Sequence, residues 1–179
     1  MSKPKQTPKE RAAEFVGRLR KACNDRGKLA ALRRGLTDNP RLQVDAWPVI
    51  TGLGGDINNP TYTAVSALYA SHPNESDARN FGETCRRIAK GDGNDIVDSM
   101  DKRFRRLLAC GEQEEVIQQL RSWIRMASSK GVKVNYESLF ADLWNWPWYS
   151  ENIRVKWAKS FWQSGDAQTL ENSKQEIPV

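Results

Sequence analysis

Residues 143–162 read LWNWPWYSENIRVKWAKSFW and hold five tryptophans within twenty positions, together with three cations. Such a stretch is either a platform on which nucleotides stack or part of a hydrophobic core with a basic exterior. On a helix that turns about 100° per residue, one broad apolar arc carries Ile153, Trp157, Phe161 and Trp162. A shared arc favours the core, so we expect these side chains to pack a helical bundle and the cations to coat it.

A proline within this stretch predicts a turn. WNWPWYS, residues 144–150, should separate a helix that Asn135 caps from a last helix at about residues 151–163. We expect Trp144 and Trp157 to be buried. The aromatic residues of the turn could be exposed for base stacking, or could pack against the bundle or a partner protein. They are Trp146, Trp148 and Tyr149.

The composition favours a folded protein with a polyanionic partner. The chain has 179 residues, 39% hydrophobic and 28% charged, enough for one domain or two small packed subdomains. The formal net charge of +6 and the isoelectric point of about 9.3 favour nucleic acid or an anionic membrane surface. No run approaches the roughly 18 apolar residues of a membrane span, and the N-terminus lacks an apolar signal core. We therefore expect a cytoplasmic protein with no membrane partner.

Helical periodicity runs through the chain with almost no strand alternation, which predicts an all-α, helical-bundle architecture in two packed helical subdomains. We place the boundary between the subdomains at the chain-breaking Gly91-Asp92-Gly93. Helices are expected at about residues 9–24, 28–34, 45–51, 61–71 and 77–90 before it, and about 96–110, 113–129, 135–144 and 151–163 after it. The predicted organisation is a disordered basic arm (1–10), an N-terminal helical subdomain (11–93), a C-terminal four-helix bundle (94–165) and a disordered tail (166–179).

Clustered cations on helical faces are the main functional signal. In DKRFRRLLACG, residues 101–111, Lys102, Arg103, Arg105 and Arg106 all lie outside the apolar arc. Spacing of three or four residues likewise pairs Arg121 with Arg125, and Lys156 with Lys159. Few acids are placed to neutralise these faces by i to i+4 pairing, so we expect the cations to bind backbone phosphates, largely without regard to sequence.

The residues of a catalytic or metal site are missing. His72 is the single histidine, and Cys23, Cys85 and Cys110 lie on or beside apolar faces, where inert thiols are expected. GLGGD, residues 52–56, lacks the Gly-Lys-Ser/Thr that completes a phosphate-binding P-loop. We therefore predict a protein that is not an enzyme and that needs no metal or cofactor.

Four segments, taken in order, carry a family resemblance. They are RGKLAALRRGL (26–36), NFGETCRRIAKGDG (80–93), DKRFRRLLACG (101–111) and VNYESLFADLWNW with IRVKWAKSFW (134–146 and 153–162). Their order and helical character resemble the CasB family, the small subunit of the type I-E CRISPR surveillance complex called Cascade. The resemblance covers most of residues 15–163.

The resemblance implies a subunit without catalytic activity, present in two copies that lie head to tail and contact the backbone and large subunits of Cascade. It implies basic faces that hold the guide RNA, the target DNA strand and the displaced DNA strand, stabilising the R-loop in antiviral defence. The residues to which it assigns this role are Arg33, Arg34, Arg87, Arg103, Arg105, Arg106 and Arg121. Four more candidates rest on helical-face geometry alone: Lys102, Arg125, Lys156 and Lys159.

Two alternatives stay open. A free-standing helical DNA-binding transcriptional regulator needs a recognition helix that mixes Asn, Gln, Ser and Arg, whereas residues 102–106 are more uniformly basic. A protein-interaction module without nucleic-acid binding would use the tryptophan turn as its anchor.

Overall fold

Residues 6–163 form nine α-helices in the computed structural model, which describes this part of the chain. The helices are α1 (Pro8–Ala22), α2 (Arg26–Arg33), α3 (Pro40–Gln43), α4 (Trp47–Gly52), α5 (Pro60–Ser71), α6 (Phe81–Lys90), α7 (Asp98–Leu108), α8 (Gln113–Lys130) and α9 (Tyr136–Trp162). Single 3-10 turns lie at Arg34–Leu36 and Val44–Ala46. Among the described residues, extended backbone pairs at one isolated bridge, between Glu75 and Val134. The all-α, helical-bundle prediction is confirmed.

Capping residues set where the first helices begin. Thr7 and Glu10 form a reciprocal capping box at the start of α1, so this helix begins inside the segment predicted as a disordered arm. Asn59 caps α5 as expected, its side chain accepting a hydrogen bond from the backbone N–H of Thr61. Residues 1–5 and the predicted tail at 166–179 lie outside the described residues.

The start of α6 differs from the prediction, which had Ser76 capping a helix over residues 77–90. The backbone N–H of Ser76 instead donates to the carbonyl of Val134 at 3.0 Å, which holds this segment extended beside the residues that precede α9. Asn80 caps the helix, its side chain accepting a hydrogen bond from the backbone N–H of Glu83. The helix is four residues shorter at this end because a tertiary backbone contact takes the place of its first turn.

The WNWPWYS segment does break the helix, as predicted, but the break is a kink at Tyr149 between two helical parts of α9 and not a turn that spans residues 144–150. Pro147 removes one backbone donor, and Tyr149 takes non-helical dihedrals, with φ −132° and ψ 25°. Trp146 is 1% exposed and donates its indole N–H to the carbonyl of Gly111 at 3.0 Å. Trp148, on the outside of the kink, is 71% exposed.

α9 is the element on which much of the core is assembled. α1 and α6 pack along it, and α5 and α8 contact it as well. The close approach of α6 depends on Gly82, since a Cβ there would overlap the backbone of Trp157. Trp157 is fully buried, as predicted, and packs against Phe81 and Trp146, with ring centroids 5.5 and 5.4 Å away.

Trp144 is less buried than predicted, and the buried core runs across the predicted boundary between subdomains. Trp144 is only partly buried, with the guanidinium of Arg11 lying 4.7 Å from its ring centroid. Buried side chains from both sides of Gly91-Asp92-Gly93 join in one cluster. The division into two subdomains stays a prediction.

Candidate nucleic-acid interface

α7 presents a line of exposed cations, formed by Lys102, Arg105 and Arg106, which we call the α7 ridge. The line faces outward because Phe104 and Leu107, on the opposite side of the helix, are fully buried. The helical periodicity therefore predicted the orientation of these three residues correctly.

The expectation that few acids would pair with these cations is wrong. Asp98 lies 2.9 Å from the ammonium of Lys102, and Asp101 lies 2.7 Å from the guanidinium of Arg105. Both acids stand in the first turn of α7, where the helix dipole also favours them. Exposed pairs of this kind contribute only about 0–1 kcal/mol, so a phosphate can compete for the cation.

Arg105 is also held at the far end of α9. Its guanidinium lies 5.0 Å from the ring centroid of Trp162, whose indole N–H donates to Asp101 at 2.7 Å. The hydrogen bond from Arg105, and to a lesser extent that from Trp162, lowers the pKa of Asp101. This network fixes the position of a cation that would otherwise be a free side chain.

Arg103 does not belong to the ridge, although the sequence predicted it there. It is half-buried and donates to the hydroxyl of Ser122 on α8 at 2.9 Å. Arg103 therefore connects α7 to α8, the helix that also carries Arg121 and Arg125.

Three of the predicted arginines meet in a groove between α2, α5 and α8. Arg33 comes from α2, and Arg121 and Arg125 come from α8, around a volume of about 520 Å³. The other lining residues are Leu36, Thr37, Ala67, Leu68, Ser71, Ile124, Ser128 and Ser129. No carboxylate is among these lining residues, and Asp38, which pairs with Arg121 at the rim, offsets only one of the three arginines, so the groove is positively charged.

The three groove arginines differ in how they are held. Arg33 donates through Nε to the carbonyl of Ala70 at 2.8 Å, and Arg121 pairs with Asp38 at 3.1 Å. The side chain of Arg125 is exposed and has no hydrogen bond or ion pair within residues 6–163. The groove thus contains both anchored and available guanidinium groups.

The remaining candidates lie outside the ridge and the groove. Arg34 pairs with Asp45 at 2.6 Å, and Arg87 pairs with Glu83 at 2.7 Å. Lys156 has a structural role that the sequence did not predict, because it pairs with the buried carboxylate of Asp142. Lys159 is exposed on α9.

The hydroxyl groups of the groove were missed by the sequence analysis. Thr37, Ser71, Ser128 and Ser129 line it; the hydroxyl groups of Thr37 and Ser128 can donate to a phosphate oxygen, whereas those of Ser71 and Ser129 donate to the carbonyls of Ala67 and Met126. Serine in an exposed helical position is ordinary, so no local pattern marks these residues. They become a group only when α5 and α8 are packed together.

The thiols and the single histidine take structural positions. Burial raises the pKa of Cys23 to about 11 and that of Cys85 well above its usual value, so both remain protonated at neutral pH. His72 is buried, with Nε2 2.7 Å from the carbonyl of Val132. The described residues contain no group of three or more His, Cys, Asp or Glu placed to hold a metal ion. No helix among them is long and apolar enough to span a membrane.

The fold and these surfaces define an all-α protein that presents cations from several helices rather than from one recognition helix. The chain belongs to the Cse2 family of CRISPR-associated proteins, whose family model matches residues 28–162. Structures of this fold carry both the name Cse2 and the name CasB, so the resemblance to the CasB family is confirmed.

Several solved structures share the fold. A Cse2-family protein from Thermus thermophilus is 22% identical, with 89% of this chain and 100% of that chain covered and a TM-score of 0.71. CasB from M. ruber is 23% identical, with 96% and 100% covered and a TM-score of 0.69. A chain of a CRISPR RNA-guided surveillance complex is 21% identical, with 94% and 98% covered and a TM-score of 0.70. A search of curated protein sequences finds no match.

Proposed function

We propose that this chain is the non-catalytic small subunit of a Cascade-type CRISPR surveillance complex and that it holds nucleic-acid backbones without reading their sequence. The observation that carries the proposal is the groove, where three arginines and four hydroxyl side chains meet and where the carboxylate of Asp38, paired with Arg121, leaves the positive charge in excess. Family membership supports the assembly, since a structural neighbour is a chain of an RNA-guided surveillance complex.

The proposed task is to hold the R-loop open. An RNA–DNA hybrid is about as stable as the DNA duplex that it replaces, so contacts between protein and backbone decide how long the opened state lasts. Cations of the α7 ridge and the groove would bind phosphates of the guide RNA, the target strand and the displaced strand. Each contact can be weak because the assembly raises the effective concentration of its parts.

A separate surface is suited to the other subunits. Trp148 and Tyr149 are 71% and 58% exposed at the kink of α9, and exposed aromatic side chains are typical anchors of protein interfaces. The adjacent groove contains Asp56 and, from residues 6–163, no cation, which disfavours a phosphate there. We assign this surface to a backbone subunit, the large subunit or a second copy of the chain.

The test of the proposal is retention of target DNA by the assembled complex. We would replace two arginines of the ridge and the groove whose side chains have no partner within residues 6–163, using Arg106→Glu and Arg125→Glu, and chase labelled target with unlabelled competitor. The variant should co-purify with the complex and release DNA several-fold faster. Loss of about two phosphate contacts should also lower the log–log salt slope by about two.

A matched control separates local contacts from net charge. Lys21→Glu with Lys133→Glu makes the same charge change at exposed positions outside the ridge and the groove. Equal acceleration by both pairs would contradict the proposal. A competition assay among target sequences addresses the regulator alternative, because a regulator prefers one operator and a backbone-binding subunit prefers none.

A further inference from the structure

The groove between α2, α5 and α8 has an apolar floor beneath its basic rim. Ala67, Leu68 and Ile124 are nearly fully buried and form the floor together with the half-buried Leu36. Arg125 is exposed at the rim, beside Arg33 and Arg121. The volume of about 520 Å³ falls within the range of roughly 300–1,000 Å³ that is typical of small-molecule pockets.

A phosphate would contact only the arginines of the rim. The apolar floor is suited to an apolar part of the same ligand. A nucleotide has both parts, since its base presents a flat face of low polarity and its phosphate carries the charge. We infer that the groove binds one unpaired nucleotide, with the base against the floor and the phosphate among the arginines. This inference rests on the proposed function and names the part of the nucleic acid that the groove takes.

The burial of the floor residues selects against duplex. Bases of a duplex are paired and stacked, and one can reach a buried floor only after it is unstacked and turned out, at a cost in free energy. An unpaired strand has no such cost. The groove therefore prefers single strands, which in an opened target means the displaced DNA strand or an unpaired stretch of RNA.

The binding should tolerate every base. Leu36, Ala67 and Ile124 offer dispersion contacts that any base can make. The hydroxyl of Ser128 can donate or accept, and that of Ser71, which donates to the carbonyl of Ala67, can accept. The groove would therefore bind a base without recognising which base it is. This agrees with a subunit that leaves sequence recognition to the guide RNA.

Two other grooves, one beside Arg20 and one beside Arg154, lack this combination. The groove beside Arg20 includes Glu75, Asp77 and Glu137 among its lining residues. The groove beside Arg154 is apolar but contains Glu151 and a single cation. In each of these two grooves the carboxylates equal the cations in number, whereas three arginines face Asp38 alone in the groove between α2, α5 and α8, so neither is as well suited to a phosphate.

The test compares strands that carry the same phosphates with and without bases. Fluorescence anisotropy of the full chain would be measured with oligothymidine, oligouridine and a DNA strand of abasic nucleotides, all of equal length and at the same salt. We expect the abasic strand to bind about threefold to tenfold more weakly than the better of the two base-bearing strands, a difference at or below the lower end of that from aromatic stacking. The strand type with the larger gain identifies DNA or RNA as the source.

A variant that fills the groove locates the effect. Ser128→Leu adds a side chain above the floor and removes no cation, whereas Ala13→Leu places the same side chain on an exposed position of α1. Ser128→Leu should abolish the difference between base-bearing and abasic strands, and Ala13→Leu should preserve it. Equal, salt-dependent binding of all strands to the parent protein would overturn the inference and leave the proposed function standing. Absence of salt-dependent binding to any strand would overturn both.

Discussion

The guanidinium of Arg121 on α8 lies 3.1 Å from the carboxylate of Asp38, in the segment between α2 and α3. Asp38 is an exposed acid, with 92% of its side chain accessible, whereas Arg121 is 29% accessible and donates a second hydrogen bond to Gln118. The arginine is therefore positioned by its own helix, and Asp38 occupies the place that a phosphate would take. Asp38 is a competitor of the ligand at the rim of the groove.

Asp38→Asn should therefore strengthen binding to nucleic acid. An exposed ion pair is worth at most about 1 kcal/mol, so we expect a gain in affinity of up to about fivefold at low salt, declining as salt rises. Fluorescence anisotropy with labelled single-stranded DNA measures it. Asp77→Asn makes the same charge change at an exposed acid outside the groove and should give a smaller gain. Identical gains would show that only net charge matters.

Arg103 and Arg106, three positions apart on α7, should respond differently to alanine substitution. Arg106 is exposed without a partner among the described residues, so Arg106→Ala should weaken DNA binding and leave the free energy of unfolding nearly unchanged. Arg103 donates to Ser122, so Arg103→Ala should cost about 1 kcal/mol of stability and weaken binding less. Denaturant titration and DNA binding, measured on both variants, distinguish the two roles. A larger binding defect for Arg103→Ala than for Arg106→Ala would show that the phosphates bind on the side of α7 that faces α8.

Local periodicity explains why part of this interface was predictable. Phe104 and Leu107 have few ways to be buried on a helix, and their burial alone turns Lys102 and Arg106 outward. Periodicity could not distinguish Arg103 from the ridge cations. Arg103 lies between the apolar face and solvent, and only the packing of α8 beside α7 gives it a partner, Ser122. The groove could not be predicted from local periodicity, because Arg33 and Arg121 come from helices far apart in the sequence and meet only in the folded chain.

The proline kink and the start of α6 show the limits of local signals in the fold. Pro147 predicts an interruption, and one occurs at Tyr149, but the packing of Trp146 against Trp157 across it limits it to a kink between two helical parts of α9. Ser76 is as good a cap as Asn80 by residue type, and the backbone contact with Val134 decides between them. At α6 a tertiary contact outweighs a capping preference of about 1 kcal/mol, and in α9 tertiary packing confines a break whose proline costs about 3 kcal/mol in a helix interior.

Lys156→Ala should lower stability because it removes the partner of a buried carboxylate. Asp142 is 4% exposed, pairs with Lys156 and accepts the indole N–H of Trp157 at 2.7 Å. Lys156 is 46% accessible, so we discount the loss to about 1–2 kcal/mol at neutral pH. Lys159→Ala is the control, an exposed lysine on the same helix, and should change stability by less than about 0.5 kcal/mol.

The loss of unfolding free energy caused by Lys156→Ala should also depend on pH. Burial raises the pKa of Asp142 above its usual 3.8, and Lys156 and Trp157 offset this only in part. The folded state therefore binds this proton more tightly than the unfolded chain, and stability falls as the pH rises through the window above 3.8. Removing Lys156 raises the pKa further, so the difference in unfolding free energy between variant and parent should be smaller near pH 4 than near pH 7. A difference that is constant with pH would assign the loss to packing of the lysine stem.

Gly82→Ala and Gly17→Ala should shift stability in opposite directions, although both add one methyl group to a helix. The new Cβ at Gly82 would overlap the backbone carbonyl of Trp157, which a side-chain rotation cannot relieve, so α6 must move away from α9. We expect a loss of at least about 3 kcal/mol, at the upper end of overpacking effects. At Gly17 a Cβ meets no atom within 4 Å, and alanine should stabilise α1 by up to about 1 kcal/mol. Denaturant titration of both variants measures the changes, and a Gly82→Ala protein as stable as the parent would show that the contact between α6 and α9 is looser than this close approach requires.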